Sequence, residues 1–387
     1  MSEKTRRFFF ITLAALTLTL VSCNASGSSS SSSMQSSPTS ETSAGAEQKE
    51  KKADLKEVSL TFSSGSLDII ILPYAAAQYL GYFEEEGLKV NFIVSSGGGG
   101  QTAQVLATGA TEYGNLVFDP VLNAYANGKD MGIIGIWNQG YGSIFNQALV
   151  LDKSPIQDYQ DLEGKIIGTL GVAESSLAYP RQALKEAGVD PATVTFIAVG
   201  VGPSAINALK SGEIDALWQW HTAHANVQLT LEEEGIQTRL LPSVPLSGQL
   251  LNAIVATTKK YYEQNAEEVA KFGRALSKGS AFTYANPEAA IQMLWAISPE
   301  TKPKANNDDE AMQKALFVWN SVSASQYKVG EKWGEFLPEA WEKNVQFLGF
   351  SDRINDPSIF YTNELLDEMN NFDEEEITSF AKGYTFK

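Results

Sequence analysis

Apolar periodicity along the chain gives two copies of one layout. Residues 58–64 (VSLTFSS) and 90–96 (VNFIVSS) predict strands, because short apolar runs rich in β-formers and bounded by turn residues suit a buried strand. Between them, residues 75–86 carry apolar side chains at helical spacing and stop at Gly87. Four glycines, 97–100, predict a turn. QTAQVLATG then predicts a helix that ends by Gly109 and leads into a short strand, YGNLVF. The second copy runs through the strand KIIGTLG (165–171) and a helix over 179–187 that stops at Gly188. The strand VTFIAV (194–199), the turn GVGPS, the helix AINALKSG and the strand IDALWQW complete it. Shifted by 103 positions, Gly97 meets Gly200, Leu106 meets Leu209, Gly109 meets Gly212 and Glu112 meets Asp215.

Each copy reads β-α-β-α-β, which predicts an α/β fold of two related lobes with helices on both faces of each sheet. From Tyr261 the alternation gives way to helical periodicity (NAEEVAKFGRALSKGSAFTYA, PEAAIQMLWAI, DEAMQKALFVWNSV), with too few strands for a third sheet. This C-terminal helical tail is expected to wrap the first lobe. Residues 51–150 and 250–387 would then form lobe one, and 151–249 an inserted lobe two.

The N-terminus changes the picture. Lys4, Arg6 and Arg7 precede an apolar run over 8–20, too short for a comfortable bilayer span and suited to a signal peptide over 1–22. The run closes on LVSC, which resembles a bacterial lipobox and so implies lipidation of Cys23 as the mature N-terminus. Cys23 is the only cysteine, so no intrachain disulfide can form. Residues 23–50 are serine-rich and nearly devoid of apolar side chains, the composition of a flexible tether. The chain has 46 acidic and 29 basic residues, a net charge of −17, which disfavours nucleic acid and anionic membrane surface as partners.

The segments AAAQYLGYFEEEGLKVNFI, GGGGQTAQVLATGATEYG, DLEGKIIGTLG, LKSGEIDALWQW and NAEEVAKFGRAL resemble the substrate-binding proteins of ABC importers. The branch they resemble covers nitrate, sulfonate, taurine and thiamine-precursor binders. This resemblance implies the two-lobed, type II periplasmic-binding-protein fold, closing on a small solute. It further implies an ABC transporter permease as partner and an extracytoplasmic, membrane-anchored location, with a monomer as the expected form. No cofactor, metal or catalytic residue is expected.

In α/β sheets, ligands bind beyond the carboxyl ends of strands. That rule selects Ser64, Asp68, Gly99, Gly100, Gln101, Asp119, Trp137, Asn138 and Tyr141 in lobe one. In lobe two it selects Glu174, Ser175, Ser176, Trp218, Trp220 and His221. Gly99 and Gly100, lacking a Cβ, let backbone N–H groups approach a ligand at a helix start, with Gln101 beside them. Ser175 and Ser176 can cap a helix and offer hydroxyls. Strand alternation would put Trp218 and Trp220 on one face with Gln219 opposite, where their rings suit a heterocycle. Asp68 and Asp119 could answer a ligand amine or simply cap turns. His221 and His224 have no cysteine or carboxylate nearby to complete a metal site. Gly200 to Ala205 imitates a dinucleotide fingerprint but sits on the second strand of its lobe instead of opening a nucleotide-binding unit.

The candidate loops hold tryptophan, tyrosine and amides but no lysine or arginine. That composition leans toward a neutral or cationic aromatic heterocycle such as a pyrimidine-type vitamin precursor, with sulfonate, taurine or nitrate as the alternative. The rival from another class is an enzyme on the same fold, since the resemblance extends to pyrimidine-precursor synthases. Their cysteine-rich motif is absent here.

Overall fold

The computed structural model describes residues 55–386 apart from 65, 141–146, 173, 243–249 and 329, and the backbone alone of residues 174–176. The expected signal peptide, Cys23, the serine-rich linker and Tyr141 lie outside the described residues, as do the side chains of Glu174, Ser175 and Ser176.

Ten strands form two mixed sheets. They are β1 (Lys56–Phe62), β2 (Leu88–Val94), β3 (Tyr113–Leu116), β4 (Ile133–Asn138), β5 (Ala148–Leu151), β6 (Ile166–Thr169), β7 (Thr195–Ala198), β8 (Ala216–Trp218), β9 (Thr238–Leu240) and β10 (Ile254–Thr258). Sheet one has the order β2-β1-β3-β10-β4 and sheet two the order β7-β6-β8-β5-β9. In both, the second strand in this order, β1 or β6, runs parallel to its two neighbours, and the fourth place holds an antiparallel strand. The registers agree as well: Leu60 faces Tyr113 in one sheet and Ile167 faces Ala216 in the other. The fourth strand is where the chain arrives from the other lobe. β5 enters sheet two directly after β4, so that sheet takes its first strand from Ala148, ahead of the expected limit at 151. On the return, Leu250 buries its side chain in the core of lobe two and Leu251 in that of lobe one.

Helices cover the sheets: α1 (Leu72–Tyr79), α2 (Tyr82–Glu85), α3 (Gly98–Ala107) and α4 (Asp119–Ala126) in lobe one, and α5 (Glu174–Glu186), α6 (Pro203–Ser211) and α7 (His221–Glu233) in lobe two. The single helix expected over 75–86 is two helices, because Gly81 takes a left-handed φ of 78° between them. The expected turn over 97–100 is shorter too. Gly97 is the N-cap and Gly98 already opens α3. β1 turns Val58, Leu60 and Phe62 to the α1 side, where full burial contributes about 1.5–3 kcal/mol per large apolar side chain.

The tail comprises α8 (Lys259–Gln264), α9 (Ala266–Ala285), α10 (Pro287–Ile297), α11 (Asp308–Ser323), α12 (Pro338–Phe347), α13 (Leu366–Met369) and α14 (Glu374–Gly383). α9 lies so close to α1 that a Cβ on Gly279 would stand 2.2 Å from the Pro73 carbonyl oxygen. Phe272, Phe282, Met293 and Trp319 of the tail join the β1–α1 core. The tail also grips lobe two, which its apolar periodicity does not announce. Phe347 of α12 enters the lobe-two core with its ring 5.0 Å from that of Tyr179. α11 lies along α7, with Lys314 paired to Glu233 at 2.5 Å. The result is two α/β lobes and a C-terminal helical tail, the type II periplasmic-binding-protein fold. Among the described residues no helix is long and apolar enough to cross a membrane.

Candidate functional site

The two lobes touch at Asp119. This residue opens α4 just beyond β3, and its carboxylate takes a hydrogen bond from the Tyr179 hydroxyl on α5 of lobe two. Asn344 of α12 donates to it from Nδ2 at 3.1 Å, and the Asn344 side-chain Oδ1 in turn accepts the N–H of Leu251 at 2.9 Å. Both lobes, the tail and the returning chain therefore converge on one carboxylate. Burial pushes its pKa up to about 6.

Beside it, lobe one presents a connected polar edge. Asn115, near the end of β3, donates from Nδ2 to the Tyr74 hydroxyl and to Gln139 Oε1, both at 2.8 Å. Gln139 follows β4 and donates to the Ile70 carbonyl at 3.1 Å. The N–H of Ile70 is held by Asp68 at 2.9 Å, and burial pushes that carboxyl up to about 6 as well. Asp68, Asn115 and Gln139 lie at the ends of β1, β3 and β4 and Tyr74 on α1, with Tyr74, Asn115 and Gln139 buried. Burial also keeps Tyr74 protonated.

The lobe-two edge is more apolar. Leu170 and Val172 beyond β6, and Val201 beyond β7, are exposed. Gln219 follows β8 and donates from Nε2 to the Gly200 carbonyl, while its buried Oε1 has no hydrogen-bond partner among the described residues. Its backbone N–H points at His224 Nε2 at 3.0 Å. The Leu217 carbonyl lies 3.2 Å from the same ring nitrogen. Burial lowers the His224 pKa to about 3 and holds the ring neutral.

Several sequence candidates do not face this cleft. Trp137 is buried in the lobe-one core, its Nε1 donating to Ser277 on α9 at 3.3 Å and its ring against Gly334. Asn138 spends its amide on the fold, donating to the Glu335 carbonyl at 3.0 Å and accepting from the Gly140 N–H at 3.1 Å. Trp218 is core too, packed in lobe two with its ring 5.9 Å from Tyr159. The tryptophans do not share a strand face, because β8 ends at Trp218 and Trp220 is the N-cap of α7. Trp220 is half-buried. Ser64 closes a local turn onto the Ser66 carbonyl at 2.7 Å. Gln101 is exposed and accepts from the Ser95 hydroxyl at 3.0 Å. Gly99 sits where a Cβ would press on the Val117 carbonyl at 3.2 Å, whereas Gly100 faces open space. His221, half-buried, bonds the backbone of Ser321 on α11, and burial lowers its pKa. Among the described residues no cluster of three or more His, Cys, Asp or Glu residues could hold a metal.

Sequence reasoning passed over Tyr74, Tyr179 and Asn344 as site residues. Nothing local marked Asn344, whose partner is 225 residues away.

The model of the NMT1/THI5-like family matches residues 69–290. The riboflavin-binding protein RibY of Chloroflexus aurantiacus is 24% identical over 292 residues, covering 75% of this chain and 80% of that protein. The 4-amino-5-hydroxymethyl-2-methylpyrimidine phosphate synthase of Legionella pneumophila is 24% identical over 238 residues, 59% of this chain and 70% of the synthase. The formylaminopyrimidine-binding protein of Halalkalibacterium halodurans is 24% identical over 281 residues, 72% and 81% of the two chains. In fold, the alkanesulfonate-binding protein SsuA from Xanthomonas axonopodis pv. citri superposes with a TM-score of 0.55 at 16% identity, over 82% of this chain and 98% of that one.

Proposed function

The chain belongs to the NMT1/THI5-like family, and on that premise we propose that it is the extracytoplasmic solute-binding lipoprotein of an ABC importer for a neutral or cationic aromatic heterocycle. At the coarser level it is a solute-binding protein that takes a small organic ligand between two lobes. The ligand class rests on the charge of the cleft edges. Asp68 and Asp119 stand there with the amides of Asn115, Gln139 and Gln219, while the described loops at the strand ends carry no lysine or arginine. Two carboxylates repel a sulfonate or nitrate and favour a ligand that donates hydrogen bonds, such as an aminopyrimidine. Half-buried Trp220 and the apolar Leu170, Val172 and Val201 supply surface for a flat ring. Two of the binding-protein relatives take nitrogen heterocycles by name, which supports the same reading. A ligand that prefers the folded state raises its melting temperature, so a thermal-shift screen tests the class. We expect aminopyrimidines or flavins to shift the transition and taurine, alkanesulfonates and nitrate to leave it unchanged.

A second reading, an enzyme on this fold, has the synthase relative in its favour. Binding without turnover requires the ligand to be recovered unchanged by mass spectrometry after prolonged incubation.

Export and anchoring rest on the LVSC segment. Lipidation of Cys23 would hold the lobes at the membrane through the serine-rich segment that follows it, within reach of a permease. Intact mass showing an unmodified Cys23 at a free N-terminus would contradict it.

A further inference from the structure

The chain leaves lobe one after β4 and returns to it before β10, and on the lobe-one side these two crossings pair with each other. The N–H of Gln139 donates to the Ala253 carbonyl at 3.2 Å, and the N–H of Asn252 to the Gly140 carbonyl at 3.1 Å. Ser325, just beyond α11, lies against both members of this pair. Asn252 Nδ2 points at the Ser325 carbonyl and hydroxyl, at 3.4 and 3.5 Å. On the outgoing side Gly140 takes a φ of 152°, and a Cβ there would overlap the Ser325 carbonyl oxygen.

Further along the connection from α11 to α12, the chain grips the end of β4 and is itself braced from α14. The Gly334 carbonyl accepts the N–H of Asn138 at 2.9 Å, beside the bond from the Asn138 amide to Glu335. Trp333 donates its N–H to Asn370 Oδ1 and accepts Asn370 Nδ2 at its carbonyl, both at 2.9 Å. Its indole Nε1 donates to Glu374 on α14 at 3.0 Å. Lys328 Nζ reaches both oxygens of that carboxylate at 3.0 Å and lies 5.3 Å from the centre of the Trp333 ring. Glu374 therefore staples Lys328, close in the chain to Ser325, to Trp333, the neighbour of Gly334. Charge-assisted bonds are about twice as strong as neutral ones, and solvent screens this pair only in part, since the Lys328 side chain is 19% exposed and that of Glu374 42%.

We propose that Glu374 is a positioning residue for the hinge between the lobes. Through Lys328 and Trp333 it keeps Ser325 and Gly334 seated on Asn138, Gly140 and Asn252, so the crossings stay fixed on the lobe-one side and lobe two turns beyond them. Gln139 lies between two of these held residues, and its amide links Asn115 to the Ile70 carbonyl. The brace on α14 therefore also sets the polar network of lobe one. A hinge is made by a few residues that absorb the turn, and rigid neighbours decide which ones they are. The inference rests on the reading of the chain as a two-lobed binding protein and not on its ligand class.

Amide hydrogen exchange of the whole protein, measured without ligand, tests the proposal, because exchange reads local opening residue by residue. In Glu374→Ala the amides of Asn138, Gln139 and Asn252 should exchange roughly tenfold faster than in the parent, while the β1–β2 ladder keeps its rates. Glu374→Gln retains an acceptor for the Trp333 indole and should recover part of the protection. If the alanine variant does not fold, the glutamine variant should by itself accelerate the three amides and spare the ladder. Spin labels on Asn123→Cys of α4 and Lys185→Cys of α5, both exposed positions, in a Cys23→Ser background, should report a broader interlobe distance distribution when Glu374 is replaced. Unchanged rates at the three amides, equal acceleration of the β1–β2 ladder, or an unchanged distance distribution would each overturn the proposal. No ligand enters either measurement, so a failed ligand assignment leaves the hinge result standing, and a failed hinge result leaves the ligand titrations standing.

Discussion

Glu112 and Asp215, 103 residues apart, hold the same backbone position in the two lobes. The Glu112 carboxylate accepts the N–H of Ser59 at 2.7 Å, and the Asp215 carboxylate accepts the N–H of Ile166 at 2.9 Å. In each case the acid sits one residue before the first paired position of its strand, opposite the second strand of its sheet, β1 or β6. A charged acceptor there ties down an N–H at the point where strand pairing stops. Hydrogen bonds to charged groups are worth about 1.5–3 kcal/mol, and partial exposure puts these at the lower end. Glu112→Ala and Asp215→Ala should each therefore lower unfolding free energy by about 1.5 kcal/mol in chemical denaturation. A loss in one variant alone would show that the two contacts are not equivalent.

The tryptophans separate packing from binding. Trp218→Ala removes a buried ring and should cost about 3–5 kcal/mol of stability with little effect on ligand affinity in whatever folds. Trp220→Ala should do the reverse. Losing a half-buried ring that meets the ligand removes about 0.5–1.5 kcal/mol of ring-specific attraction, with contact area in addition, for a five- to hundredfold weaker affinity. Titration calorimetry and urea denaturation on both variants read the two effects.

Stability should fall as pH rises from about 4 to about 6. Asp68 and Asp119 hold their protons up to about pH 6 in the folded chain, whereas an unfolded aspartate releases its proton near pH 3.9. Between those values the folded state binds more protons than the unfolded, so raising the pH across the window removes stability. Asp68→Asn keeps the cap on the Ile70 N–H and removes one of the two titrations. Its unfolding free energy should vary less over this window than that of the parent, and an equal slope would refute the assignment.

Tyr179→Phe deletes the bond from lobe two to Asp119 while leaving the ring against Phe347. If that bond is made only when the lobes are together, its loss lowers the closed population and ligand affinity by about tenfold. Small-angle scattering should show a larger radius of gyration for the variant without ligand. Unchanged affinity and scattering would remove Tyr179 from the closure.

Much of the fold was legible because its signals are local. The glycines at 109 and 212 follow helix ends, and the apolar runs at β1, β2 and β7 appear where expected. The correspondence of Glu112 with Asp215 was visible as a bare alignment before either had a partner. The site was less legible because its geometry is made by distant chain. Trp137 looks like a cleft aromatic until Ser277 and Gly334, far along the tail, close over it. Trp218 and Trp220 look like a strand pair because nothing in ALWQWH marks a strand that stops after three residues. Asp119 was recognised as a candidate, but Asn344 and Tyr179, which define its surroundings, come from other elements.

The central claim, that the interlobe cleft takes a neutral or cationic heterocycle, is tested most directly by titration calorimetry of the purified protein. The two titrants are 4-amino-5-hydroxymethyl-2-methylpyrimidine and taurine, at pH 7.5 and equal salt. The account predicts one-to-one binding of the pyrimidine, weakened in Trp220→Ala, and no heat from taurine. Saturable taurine binding with none for the pyrimidine would contradict it.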